Sequence, residues 1–277
     1  MTKPPHVPDD RVFSSEPDAA YLSFEEAPHS YIGPTQRARV WSERWAEKSL
    51  FCASCGYGQL NRFANNAPVA DLYCPQCEET FEVKAKRGAF GRKVVDGAHR
   101  TMLERLAAGD NPNLILLNYD LASFGIVDAL LVPKHFFVDS LIEARKPLAP
   151  TARRAGWIGC NIRLDLVPPS GKIYFVRDRV RQDPRRVQAQ WSEMLFLREA
   201  KPTARGWLLE VLRIVESLGR PEFTLQDIYA REGELKALYP ANQNVRPKIR
   251  QQLQVLRDRG VLRFAGSGVY RLIAPHS

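Results

Sequence analysis

Two C-x2-C pairs, Cys52/Cys55 and Cys74/Cys77, are separated by 18 residues in a 277-residue chain with five cysteines. Four thiolates at that spacing can converge tetrahedrally on one Zn2+, a closed structural site with no open position for chemistry. A lone C-x-x-C would also suit dithiol redox work, but two such pairs in a chain without secretory features favour zinc. Cys160, the fifth cysteine, reads as a small buried hydrophobe.

A second set of reactive residues overlaps the first. Ala70-Asp-Leu-Tyr73 and Thr80-Phe-Glu-Val-Lys84 alternate apolar with polar residues, the period of a strand with one buried face. Glu82 and Lys84 then project from one face and Phe81 and Val83 from the other. A hairpin turning through Cys74–Cys77 brings Asp71 alongside the polar pair. Metal-assisted phosphodiester hydrolysis needs this set: two carboxylates to hold Mg2+, and an ammonium to orient or activate water and stabilise charge on the phosphorane. Without Asp71, Glu-x-Lys would read as the solvated face of an edge strand. The acid one hairpin away argues for chemistry.

The elements that position these residues are legible in outline. A helical stretch around Gln36–Leu50 precedes the cysteines, and a helix is expected over Val94–Ala107. The runs Asn113–Tyr119, Ile126–Val132 and Lys172–Val176 are short, rich in branched or aromatic residues and bounded by Gly, Pro, Asn or Asp, so they read as buried strands of a central mixed α/β sheet flanked by helices. Residues 177–204, with Asp183-Pro184 and Lys201-Pro202, suit a connector that carries a short helix at Val187–Leu197.

Beyond the connector, Leu208, Val211, Leu212, Val215 and Leu218 recur at helical spacing before Gly219. Thr224-Leu-Gln-Asp227 has the form of a helix-capping box. A third helix runs from about Asn244 to Asp258 on an Ile249/Leu253/Leu256 stripe, with Pro247 in its first turn. Two strands joined through Gly266-Ser-Gly268 complete a winged helix. The division expected is a flexible tail at residues 1–32, a nuclease domain at 33–198 and a winged-helix domain at 199–277.

In a winged helix the third helix enters the major groove, where Arg pairs with guanine and Gln with adenine. Arg246, Lys248, Arg250, Gln251 and Gln252 are the readers expected there; an ordinary solvated helix face is the competing view. In Thr151-Ala-Arg-Arg-Ala-Gly-Trp157, Arg153 and Arg154 suit phosphate clamping. Trp157 is either a core tryptophan or a plate that presses on a base.

The formal charge is +9 and the pI about 9.4. Residues 1–32 are acidic, six acids against two bases, so the excess falls on the two folded parts. That suits a polyanionic partner without separating DNA from RNA or an anionic membrane. No apolar run resembles a signal peptide or a membrane span, and a cytoplasmic protein is expected.

The D-x10-E-x-K arrangement resembles the PD-(D/E)xK nuclease superfamily. The wider runs Pro68-Val-Ala-Asp-Leu-Tyr-Cys74 and Phe81-Glu-Val-Lys84, with Lys146–Asn161 and Ile249–Asp258, resemble the DpnI-like, Dam-replacing family of methyl-directed restriction endonucleases over about residues 33–273. One departure is Ala70 in place of proline before Asp71, with Pro68 three positions upstream of Asp71. The resemblance implies cleavage of duplex DNA at adenine-methylated GATC. It further implies Mg2+ held by Asp71, Glu82 and the Val83 carbonyl, Lys84 positioning water, Zn2+ held by the four cysteines, and Trp157 against the methyl groups of modified adenines. Neither a membrane nor an obligatory protein partner is implied. Two other readings stay open on the residues: a non-catalytic methyl-sensing regulator, and a repair or junction-resolving nuclease that recognises DNA shape.

Overall fold

The computed structural model describes residues 19–24, 33–64 and 70–273. Its helices are α1 (Ala19–Leu22), α2 (Pro34–Ser49), α3 (His99–Ala108), α4 (Pro184–Glu193), α5 (Pro202–Ser217), α6 (Leu225–Tyr229), α7 (Glu232–Leu238) and α8 (Val245–Asp258). The strands are β1 (Asn61–Arg62), β2 (Leu72–Tyr73), β3 (Thr80–Arg87), β4 (Lys93–Ala98), β5 (Asn113–Asp120), β6 (Gly125–Val132), β7 (Ile142–Ala144), β8 (Gly159–Arg163), β9 (Ile173–Arg177), β10 (Val180–Arg181), β11 (Glu222–Thr224), β12 (Leu262–Gly266) and β13 (Val269–Leu272). They fall into two compact units. One takes in the chain up to Gly91 with Asp110–Lys134 and Gly171–Ser192; the other is Arg92–Gly109, His135–Ser170 and the chain from Glu193. The units therefore cut across the linear division expected at 198/199.

The first unit is built on a seven-stranded mixed sheet of order β1-β2-β3-β5-β6-β9-β10. Only β3 and β5 run parallel, Glu82 opposite Leu114 and Lys84 opposite Leu116; the other neighbours are antiparallel. Parallel pairing forces a crossover, here residues 88–112. β5 is buried from Asn113 to Asn118, which is why that run reads as continuously apolar. Helix α2 lies across β3 and buries Trp41, Trp45 and Ala46. Part of the expected tail is docked here: Phe24 stacks on Trp41 with ring centroids 3.9 Å apart, the Trp45 indole N–H donates to the Tyr21 carbonyl, and the Tyr21 hydroxyl donates to that of Ser49. The aromatic content of Tyr21–Phe24 is what holds this stretch, whereas residues 1–18 and 25–32 lie outside the described residues. So does Pro68.

α4 also belongs to this unit, with Val187 and Trp191 fully buried. The expected connector thus holds a core helix.

The second unit contains the sheet β4-β8-β7, helix α3, and a C-terminal set of helices with the sheet β11-β13-β12. Val94–Ala98 is a strand, not the first half of a helix: Val94 pairs with Ile162 and Val95 with Asn161. The β-branched pair Val94-Val95 and Gly97 disfavour helix, and α3 starts only at His99.

In the C-terminal set, α5 buries nearly every residue from Gly206 to Val215. That includes Glu210, whose carboxylate accepts from Ser140 Oγ at 2.9 Å and from Arg213 Nε at 3.0 Å. Gly219, at φ +65°, ends the chain's run past α5. The Thr224/Asp227 capping box forms as the sequence indicates. α7 and β11 are additions to the three helices and hairpin expected. β11, three residues long, pairs with β13.

Candidate active site and metal centre

The connection between β2 and β3 is itself the second cysteine knuckle. Leu72 pairs with Phe81 and Tyr73 with Thr80, so the strands enter and leave residues 74–79 directly. Asp71 precedes β2, and its backbone N–H donates to the Phe81 carbonyl at 3.0 Å. Leu72 and Phe81 are fully buried on the inner face, and the alternation places Asp71, Glu82 and Lys84 on the other.

There the side chains are hydrogen-bonded in two sets, one around Asp71 and one joining Lys84 to Glu82. Asp71 Oδ2 accepts from the Val83 backbone N–H at 2.8 Å, Asp71 Oδ1 accepts from Arg39 Nη2 at 3.1 Å, and Lys84 Nζ donates to Glu82 Oε1 at 2.7 Å. The three side chains are 15%, 28% and 20% exposed in the order Asp71, Glu82, Lys84: shielded enough to strengthen electrostatics, open enough for a substrate.

Two residues on α2 join this group. Arg39 also binds Glu43 through Nε, one helical turn on. Burial pushes the Glu43 carboxyl above its ordinary range; the hydrogen bond from Arg39 opposes the shift and the charge of Asp71 reinforces it. Neither residue is expected from sequence. The only trace is the i, i+4 spacing of opposite charges, which is as often a solvated helix face.

The four cysteines converge. Their sulfurs lie within 4.8 Å of one another, with Cys52–Cys77 and Cys55–Cys74 each at 3.5 Å, close to the ~3.8 Å edge of a tetrahedron with ~2.3 Å zinc–sulfur bonds. All are free thiols, not disulfides. The hydrogen bond from Cys52 holds Cys77 down to about 5, while that bond and burial push Cys52 far up, and burial pushes Cys55 up to about 12. Packed this closely, the sulfurs cannot all ionise without a cation among them. A soft dication such as zinc meets that need.

The two knuckles share one backbone turn. Gly56 N–H donates to Cys52 O and Glu78 N–H to Cys74 O, at 2.8 and 2.9 Å. Gly56 and Glu78 both sit in the left-handed region, at φ +78° and +61°. At Gly56 a Cβ would lie 2.5 Å from the amide end of the Gln188 side chain, which can turn aside, so the positive φ is what favours glycine there.

For a hard dication, Asp71 and Glu82 offer carboxylate oxygens from paired strands and Val83 a backbone carbonyl, the donor chemistry of a magnesium site. The residues present fit both metals.

The expected DNA-contacting residues all lie in the second unit. Residues 145–159 form a tight loop closed by Leu148 N–H to Trp157 O at 3.0 Å and Gly156 N–H to Leu148 O at 3.1 Å. Arg153 and Arg154 are exposed; Trp157 is half-buried, with the Arg154 guanidinium 4.7 Å over its ring. Trp157 is therefore not a core tryptophan. Its ring covers Gly159, where a Cβ would lie 2.8 Å from it.

On α8, Arg246 bonds Glu232 at 2.7 Å, Arg250 the Tyr229 hydroxyl at 2.9 Å, and Lys248 Gln251 Oε1 at 2.8 Å. Arg246, Arg250 and Gln251 are exposed and Lys248 is half-exposed. Gln252 does not join them. It is 4% exposed, because positions 249, 252, 253 and 256 form the helix's inner stripe. Gln254, one turn beyond Arg250, is exposed where Gln252 is not.

Residues 22–200 match the model of the Dam-replacing family, DpnI, and residues 203–272 match that of the Dam-replacing HTH domain.

Proposed function

The chain belongs to the Dam-replacing (DpnI) family, and on that premise we propose that it is a methyl-directed restriction endonuclease of the PD-(D/E)xK type, cutting duplex DNA at adenine-methylated GATC. The observation that carries the catalytic half is the hydrogen-bonded group Asp71–Val83 with Lys84–Glu82 on the zinc-closed hairpin. In this reading Asp71, Glu82 and the Val83 carbonyl would hold Mg2+, which would supply Lewis-acid activation of the scissile phosphate. Lys84, already in contact with Glu82, orients the attacking water for in-line displacement of the 3′ oxygen. The Val83 N–H fixes the rotamer of Asp71. The zinc knuckle, as the connection between the two strands, sets their register and takes no part in the reaction.

Recognition is assigned to the other unit. Arg153 and Arg154 clamp phosphates, Trp157 packs against adenine methyl groups, and Arg246, Lys248, Arg250 and Gln251 face the major groove. One methyl is worth about 1 kcal/mol, or five- to tenfold in affinity. Two recognition elements on one chain multiply such factors by avidity, sharpening a modest preference into a choice.

Against the alternatives, a non-catalytic regulator would not need Asp71 fixed by the Val83 amide and Lys84 paired with Glu82 on the same face of the hairpin. The test is cleavage, with Mg2+, of end-labelled duplexes carrying one GATC with both, one or neither adenine methylated, beside an unmethylated four-way junction. Cutting of the fully methylated duplex is expected. Cutting of all duplexes alike would remove the methyl specificity, preferred cutting of the junction would make the protein a structure-specific nuclease, and binding without cutting would make it a regulator.

A further inference from the structure

We propose that Arg39 is a positioning residue that competes with the divalent metal for Asp71, so that metal entry and release of the Arg39 guanidinium from Asp71 are a single exchange. The inference rests on the nuclease reading of the hairpin.

Both oxygens of Asp71 are engaged. Oδ2 accepts from the Val83 amide, a bond fixed by the strand itself, and Oδ1 accepts from Arg39 Nη2. An ion approaching Asp71 finds one partner that cannot move and one that can, since the Arg39 side chain is 57% exposed. Glu43 gives Arg39 somewhere to stay: its side chain is 10% exposed and binds Nε, a different nitrogen from the one on Asp71. The guanidinium can therefore leave Oδ1 and remain paired.

Charge favours the exchange. Asp71, Glu82 and Glu43 carry three negative charges against two positive ones on Arg39 and Lys84. With Arg39 held on Glu43 those two charges cancel and Asp71, Glu82 and Lys84 sum to −1, so an arriving dication meets a net negative group, whereas a dication beside an unmoved Arg39 faces a like charge within a few ångströms. The Val83 amide thus keeps Asp71 in its working rotamer, and Arg39 sets a threshold for metal loading.

A purely structural clip between α2 and the hairpin has the opposite signature. Loss of a clip would misorient Asp71 and weaken metal binding or leave it unchanged; loss of a competitor strengthens it. The experiment is Mn2+ titration of the zinc-loaded full-length protein without DNA, followed by electron paramagnetic resonance, for the wild type and for Arg39→Met, Arg39→Gln, Arg39→Lys, Arg44→Met and Asp71→Ala. Zinc content and melting serve as folding controls.

Arg39→Met is expected to bind Mn2+ about tenfold more tightly than the wild type, and Arg39→Gln, which keeps hydrogen bonding to Glu43, to do the same should the methionine variant melt early. Arg39→Lys and Arg44→Met, the latter removing an equal charge elsewhere on α2, should stay within about twofold. The Mg2+ concentration for half-maximal cleavage should fall in parallel. Unchanged or weaker Mn2+ binding in both Arg39→Met and Arg39→Gln would overturn the proposal, as would equal tightening in Arg44→Met. If Asp71→Ala left Mn2+ binding intact, the nuclease reading of the hairpin would fail and the competition with it.

Discussion

The four-cysteine hairpin and helix α8 hold their candidate functional side chains in opposite ways. On the hairpin, Asp71 is fixed across the turn by the Val83 backbone amide on one oxygen, with Arg39 of α2 on the other, and the strands that carry the group are closed by four cysteines. On α8 the polar side chains make near-neighbour contacts at an exposed surface, with Glu232, Tyr229 and one another. A group that acts on a phosphorus atom must be placed within a fraction of an ångström. One that reads DNA exchanges its resting partner for a base edge, so a loosely tethered side chain suits it. Under the proposed function, a fixed group serves cutting and an exchangeable one serves reading.

The largest effect expected is on the rigid side. Lys84→Met should lower the cleavage rate by about 10^2- to 10^3-fold with little change in affinity, measured under single turnover; a loss below tenfold would remove Lys84 from the chemistry. Cys74→Ser should release the zinc and lower the melting temperature by about 10 °C or more, since structural metal binding is folding energy. Unchanged metal content and melting would sink the four-cysteine site.

The two knuckles sharpen the same contrast on a smaller scale. Gly56→Ala should cost about 1–2 kcal/mol, chiefly from its positive φ, whereas Glu78→Gly should stabilise by no more than about 0.5 kcal/mol, relief of the same backbone conformation being offset by the entropy glycine adds to the unfolded chain. Chemical denaturation of both variants checks the signs. The smallest effects separate two adjacent amides on α8. Gln251→Ala should weaken DNA binding severalfold and leave melting alone, while Gln252→Ala should lower stability by about 1 kcal/mol and leave specificity alone. A reversed pair would place the reading face of α8 elsewhere.

These contrasts also explain what the sequence reveals. The hairpin chemistry is local: a turn of fixed length between two alternating strands dictates which side chains meet, so Asp71, Glu82, Lys84 and the cysteines are legible from spacing alone. Arg39 and Glu43 are not, because α2 carries basic and acidic residues on several faces and only its packing across β3 selects the pair that meets Asp71. On α8 composition announces a polar helix, but the inner stripe decides the face, and so Gln252 reads as exposed and Gln254 is overlooked. At Val94–Ala98 a helical pattern belonging to α3 is read back into a strand whose pairing partner, β8, lies more than 60 residues on. α7 and β11 are too short for periodicity to reveal.

The division of labour between the two regions is tested most directly by measuring cleavage and affinity on one pair of proteins, wild type and Asp71→Ala, with a fully methylated duplex: cleavage in Mg2+, affinity in Ca2+. The account predicts that Asp71→Ala loses cleavage by at least about 10^3-fold while its affinity stays within about threefold. Residual cleavage near the wild-type rate, or an affinity that collapses with the activity, would contradict it.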